Sequence, residues 1–259
     1  MVNYIMEGYT HLFINSEEQF NLLPNIELDT IFNSFRSNKQ CFSFIENGDI
    51  PPDNEAISVS KSIDEKLYNF FIQELVGRPS VGYIGSTSRF NNYNNLDSRH
   101  IMFSVIIWNF IKTPIRNILE IGGGYGNLLY INRNKEFDNW TIIDLPYISK
   151  LQSWFLNKMN INSLKYKLYS CYDYEEATYS KYDLVIGTHS ISELSITTFN
   201  KYFASVIQHS RFLFYSYHKY AHKELVELKR HIIEEHFDLI FEVSTENNNV
   251  STCLFKNKH

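Results

Sequence analysis

From Asp97 to the C-terminus, short apolar runs alternate with helical patterns, whereas the first hundred residues show no such alternation. The runs fall at Asn117–Ile121, Trp140–Asp144, Tyr166–Tyr169, Tyr182–Ile186, Arg211–Tyr215, Leu239–Val243 and Ser251–Phe255, which predicts seven strands. Helical spacing fills the gaps, with Ile148, Leu151, Phe155 and Met159 in one helix, Phe199, Phe203 and Ile207 in another, and Leu225, Leu228 and Ile232 in a third. Alternation of this kind is the mark of an α/β architecture, a doubly wound, mostly parallel sheet covered on both faces. The last two runs are joined only by Ser244 to Val250, too short for a crossover helix, so they should pair antiparallel.

Upstream, helices and loops are expected. Ser16-Glu17-Glu18-Gln19 and Ser62-Ile63-Asp64-Glu65 both resemble capping boxes, in the second of which Ser62 caps amides that Glu65 reciprocates. Asn47 to Glu55, with Pro51-Pro52, and Arg78 to about Asn95, rich in Gly, Ser and Asn, read as loops. Ile101 to Ile111 is apolar on nearly every side, which predicts a helix buried between the N-terminal part and the sheet, with room for a homodimer. The expected division is a mainly helical extension over residues 1–96, capping an acceptor pocket, and a sheet domain over 97–259.

Composition narrows the class. The 259 residues are 44% hydrophobic and 20% charged, enough to bury a core, so wholesale disorder is excluded. A net charge of −5 with no basic stripe argues against a nucleic-acid partner, because phosphate backbones are held by clustered Lys and Arg. Met1 to Asn15 has neither a basic start nor a continuous apolar core, and no stretch reaches the roughly 20 apolar residues that span a bilayer, so a cytoplasmic protein without a membrane partner is expected. Cys41, Cys171 and Cys253 show neither zinc spacing nor a CxxC pair and read as reduced thiols.

The chemistry is concentrated after the first strand. Leu119-Glu120-Ile121-Gly122-Gly123-Gly124-Tyr125-Gly126 puts a tight, side-chain-free turn at the carboxyl edge of the sheet, where ligands of open α/β sheets bind. A dinucleotide site would carry a third glycine where Asn127 stands, and a P-loop would follow its glycines with Lys, so neither fits. An acidic residue two before the first glycine suits instead a ligand with an amino-acid moiety. Asp144 closes a strand about twenty residues on, placed to accept both ribose hydroxyls; helix capping ahead of Pro146 is the alternative.

These segments, together with Ile142-Ile143-Asp144-Leu145-Pro146, resemble the sugar O-methyltransferase family of bacterial surface-glycan clusters. Asp183-Leu184-Val185-Ile186-Gly187-Thr188-His189-Ser190-Ile191-Ser192-Glu193-Leu194 is similar to that family's fourth-strand segment, with Gly187 and His189 where Asn and Tyr are usual. Val76-Gly77-Arg78-Pro79 and Tyr202-Phe203 echo weaker features, so the resemblance runs from about Val76 to the C-terminus. It implies a Rossmann-like sheet with an antiparallel last strand, S-adenosyl-L-methionine as donor and an oxygen acceptor. The cofactor would lie against Glu120, Gly122, Gly123, Gly124, Tyr125, Gly126, Asp144, Leu145 and Thr188, with the adenine near Cys171, Tyr172 and Asp173.

An alcohol acceptor needs a base, and histidine suits neutral pH. His189 is the candidate base or acceptor ligand, Glu193 would orient it or bind an acceptor hydroxyl, and His218 is the rival base; a satisfied loop histidine and a helix-start carboxylate are the plain alternatives. Arg78, Tyr83 and Arg89, with Phe90 and Tyr93, could line an acceptor wall, and Arg99 and His100 could cover the pocket, although surface or capping roles fit these residues too. His222, His231 and His236 should be solvated. No metal is expected. The acceptor is read as a small molecule: a sugar, a nucleotide sugar, or a phosphate-type group such as a phosphoramidate. A nicotinamide-dependent oxidoreductase and a cofactor-binding scaffold without turnover are the other classes.

Overall fold

The computed structural model describes residues 32, 33, 35, 36, 50–79, 81, 82, 93–219, 223–246 and 249–259. The expected helix start at Ser16 to Gln19, and Cys41, Tyr83, Arg89, Phe90 and His222, lie outside the described residues. The seven strands are β1 Asn117–Ile121, β2 Asn139–Asp144, β3 Tyr166–Ser170, β4 Leu184–Thr188, β5 Phe212–His218, β6 Phe237–Thr245 and β7 Val250–Asn257. They form one sheet in the order β3-β2-β1-β4-β5-β7-β6. β1 to β5 are parallel, and β7 runs antiparallel to both β5 and β6, as the short connection before it requires. The sheet is the Rossmann-like one expected, and its strand order reverses between β1 and β4.

Period-two alternation sorts the strand residues onto two covered faces. Ile118, Trp140, Ile142, Leu184, Ile186, Phe212 and Phe214 pack beneath helices α1 (Asn54–Leu75), α2 (Asn95–Phe110), α3 (Asn127–Asn132) and α4 (Pro146–Lys158). Leu119, Ile121, Ile143, Val185, Leu213 and Tyr215 pack on the other side against α5 (Tyr174–Thr178), α7 (Ile196–Ser205) and α8 (Lys223–His236). The short helix α6 (Ser190–Glu193) sits at the sheet's carboxyl edge.

Three expectations change in detail. Helix α1 begins at Asn54 with Asp53 as its cap, accepting from the amides of Glu55 and Ala56. The helix is interrupted at Asp64, whose carboxylate accepts from the Leu67 amide, so Asp64 and not Ser62 caps the second segment; the Ser62 hydroxyl donates back to the Val59 carbonyl. In α8 the buried stripe is Val226, Lys229 and Ile233, one position on from Leu225, Leu228 and Ile232, and Leu228 is 47% exposed. The apolar helix α2 is buried within the chain, with Phe103 edge-on to Phe214 of β5 and Asp97, Ser98 and His100 to Ile107 covered. Among the described residues no helix is long and apolar enough to cross a membrane.

Candidate active site

The glycine turn leaves β1 and folds back over its own strand. The Gly122 amide donates to the Ile143 carbonyl of β2 at 2.8 Å, which ties the turn to the neighbouring strand. Gly122 has φ +73°, and a Cβ there would lie 2.3 Å from the Ser190 Cβ. Only glycine meets both demands. The Ser190 hydroxyl in turn donates to the Ile121 carbonyl, so α6 is seated directly on the end of β1.

Asp144 stands beside this turn. Its Oδ1 accepts from the Leu145 amide at 2.8 Å, and its Oδ2 accepts from Gln152 Nε2 at 2.9 Å. The same Gln152 amide donates to the Gly124 carbonyl at 2.8 Å, so one side chain locks the turn and the carboxylate in a fixed relation. Burial pushes the Asp144 carboxyl up to about 7 in spite of the bonds from Leu145, Gly124, Gln152 and Gly123. Gln152 escaped the sequence reading, although its place four residues after Ile148 puts a polar group on the buried stripe of α4. Beyond β2, the Cys171 amide donates to the Asp144 carbonyl at 2.7 Å, bringing Cys171, exposed Tyr172 and Asp173, the N-cap of α5, to the same edge.

Two residues of the glycine run point elsewhere. Glu120 is 1% exposed beneath the turn, accepts from Trp140 Nε1 at 2.9 Å, and is pushed up to about 8 by burial. It faces the core. The Tyr125 ring packs against Phe35 and Phe155, with the Arg36 guanidinium 5.4 Å from its centroid. Its backbone belongs to the turn, while its side chain anchors the segment around residue 35.

On the far side of the reversal point, Thr188 ends β4 and His189 follows with φ +67°, a strained value for a histidine. The His189 ring stacks on His218, which ends β5, with centroids 4.5 Å apart. Arg99 Nη2 lies 2.6 Å from His189 Nε2. An arginine can only donate, so Nε2 is the acceptor and the imidazole proton sits on Nδ1, which is buried without a partner. Burial, then Arg99, His218 and His100, hold His189 well below its ordinary value, so the ring is neutral. With the Nε2 lone pair committed to Arg99, His189 as found is a donor rather than a base, which corrects the first role expected of it.

Glu193 is likewise placed differently. The helix opens at Ser190 instead of Ser192, so Glu193 closes the four-residue α6 while still lying in its first turn, and no hydrogen bond joins it to the His189 ring among the described residues. Its half-buried carboxyl is pushed up to about 7 by burial, with Lys229 opposing. Lys229, itself fully buried, donates to the carbonyls of Ile191, Ser192 and Leu194 and closes the end of α6.

Arg78 does not line an acceptor wall. It is 4% exposed, and its Nη1 and Nη2 each donate to Asp97 at 2.7 Å. Asn127, the first residue after the turn, donates to Asp97 Oδ1 and accepts from Arg78, and Arg36 approaches the same carboxylate to 3.9 Å. Burial alone would raise the Asp97 carboxyl, but Arg78 and Arg36 hold it below its usual value. His100 joins this network through Asn127 at 3.2 Å and is driven down to about 3 by burial, so it too is a neutral core residue. His231 is exposed and His236 packs edge-on to Phe203. No three metal-binding side chains gather among the described residues.

No family model and no curated protein matches the chain. Among solved structures, PH0226 from Pyrococcus horikoshii superposes with a TM-score of 0.52 at 12% identity, covering 64% of this chain and 93% of that one. PH1948 from the same organism, provisionally named an RNA methyltransferase, gives 0.52 at 12% identity over 73% and 96% of the two chains. The N-methyltransferase NodS from Bradyrhizobium japonicum, in complex with S-adenosyl-L-homocysteine, gives 0.49 at 14% identity over 74% and 99%. At these identities the likeness is one of fold: the chain has the seven-stranded Rossmann-like fold of the class I methyltransferases.

Proposed function

We propose that this chain is an S-adenosylmethionine-dependent methyltransferase acting on an oxygen of a sugar or sugar nucleotide. The observation that carries the reading is the Gln152 bridge, which fixes the Asp144 carboxylate against the Gly124 carbonyl at the reversal point of the sheet. The fold, shared with PH1948, provisionally named an RNA methyltransferase, supports it. The oxygen acceptor and its sugar character rest on the resemblance of the segment from Asp183 to Leu194.

The donor supplies a methyl group already activated on a sulfonium. Asp144 is placed to accept the ribose hydroxyls, the turn from Gly122 to Gly126 offers backbone to the amino-acid end, and Leu145, Cys171, Tyr172, Asp173 and Thr188 border the rest. What remains for the protein is alignment, which can supply roughly 7–11 kcal/mol, and removal of the acceptor proton, which contributes about two to four decades in rate. Since His189 Nε2 is engaged by Arg99, His218 takes the proton, while His189 Nδ1–H donates to an acceptor oxygen. With the donor bound, His218 would hold the proton given up by the acceptor hydroxyl, and the donor would supply the methyl group to that oxygen and leave as a neutral thioether.

Incubation with methyl-labelled S-adenosylmethionine and a panel of sugars and nucleotide sugars is expected to give a labelled product with one equivalent of S-adenosylhomocysteine. Label remaining in the donor with every acceptor would remove the sugar reading.

A further inference from the structure

We propose that Arg99 is an oxyanion site, so that the acceptor carries a phosphate or carboxylate group held beside His189 and His218; this rests on the methyltransferase reading above. Every other described arginine has a carboxylate within 4.0 Å: Arg36 and Arg78 share Asp97, Arg116 has Asp138, Arg133 has Glu74, Arg211 has Asp183 and Arg230 has Glu242. Arg99 is the exception. Its guanidinium bonds instead to the neutral His189 ring. The acid whose field reaches it is Asp53, and the Asp53 Oδ1 is occupied by the amides of Glu55 and Ala56 at the start of α1.

For exposed arginines such as Arg116 and Arg211 the paired carboxylate matters little, because water screens the charge. Arg99 is half-buried, and burial pulls its guanidinium below the ordinary value, as expected for a cation held out of water with no close counter-charge. A bound oxyanion would supply that charge, and the planar guanidinium suits phosphate and carboxylate oxygens. His189 gives a second, independent indication. Its Nδ1–H is buried without a partner, a donor of the kind that an acceptor oxygen satisfies. Both groups lie at the carboxyl edge, where the methyl acceptor would sit.

The test uses the full chain loaded with S-adenosylhomocysteine, titrated in turn with inorganic phosphate and with acetate, while the side-chain nitrogen signals of His189 and His218 are followed by NMR. Saturable shifts at millimolar anion are expected, weakened at least tenfold in Arg99→Gln and less in Arg99→Lys, with S-adenosylhomocysteine affinity within twofold of wild type in both variants. Preference for phosphate over acetate would assign a phosphoryl group, and the reverse a carboxylate. Shifts that are absent with both anions, or unchanged in Arg99→Gln, would overturn the site. Failure of S-adenosylhomocysteine to bind would instead strike the methyltransferase reading, and the anion titration of the unloaded chain would still decide the role of Arg99.

Discussion

Asp144→Ala weakens binding of S-adenosylhomocysteine at least about a hundredfold, because hydrogen bonds from the two ribose hydroxyls to a carboxylate contribute roughly 1.5–3 kcal/mol each and about 1.4 kcal/mol is a factor of ten. Isothermal titration measures it, with circular dichroism to establish that the variant is folded. The same residue sets a pH dependence. Burial places the Asp144 carboxyl at about 7 in the free protein, and ribose hydroxyls donating to it favour the ionised form. Below pH 7 a proton must leave before the ligand is fully held, so affinity rises as pH climbs through about 7 and levels off above it. In Asp144→Ala this dependence disappears. The effect on folding has the opposite sense. The folded protein binds this proton more tightly than the unfolded chain, whose carboxyl titrates near its ordinary value of 3.8, so the contribution of Asp144 to stability falls as pH rises from about 4 to 7. An affinity unchanged by the substitution would place the ribose elsewhere.

The second large effect concerns stability. Asp97→Ala leaves the Arg78 guanidinium, and Arg36 beside it, in the core without their carboxylate. Removing one partner of a buried ion pair costs about 3–5 kcal/mol, since the charge that remains is held out of water. For a chain of this size that corresponds to a fall in Tm of roughly 6–20 °C. Differential scanning calorimetry reads the change directly, and a Tm within 2 °C of wild type would mean that the two arginines find other partners. The consequence reaches the glycine turn, because Asn127, the first residue of α3, is held by the same carboxylate. This network also connects the segment around Phe35 and Arg36 to Tyr125 and to Gly82, whose carbonyl accepts from the Arg36 amide.

The strands were legible because each is an apolar run bounded by polar turns, and the antiparallel end of the sheet was legible from the length of one connection. The β1 limits fall on the expected run and the others moved by up to three residues, as with β4, whose sequence run begins at Tyr182 while the ladder begins at Leu184. Asp183 is spent instead on the amides of Arg116 and Asn117 and on Arg211. What hydrophobic patterning could not reveal is the polar interior. Lys229 reads as a solvated position, yet it turns inward to satisfy three carbonyls, and this displaces the expected face of α8 by one residue. Arg78 reads as a loop cation, and its partner stands nineteen residues away in the first turn of α2, a pairing that no local rule connects. At the candidate site, the glycine turn and Asp144 could be named from spacing alone, whereas Gln152, which joins them, and Arg99, which occupies the expected base, became visible only with the chain folded.

The central claim is that the turn from Gly122 to Gly126 and the Asp144 carboxylate grip the two ends of one adenosyl amino acid. A crystal structure of the complex with S-adenosylhomocysteine tests it most directly. The expected result has both ribose hydroxyls about 3 Å from the Asp144 oxygens and the amino-acid end against the backbone of the turn. A ligand bound with its ribose away from Asp144, or no ligand at the carboxyl edge at saturating concentration, would contradict it.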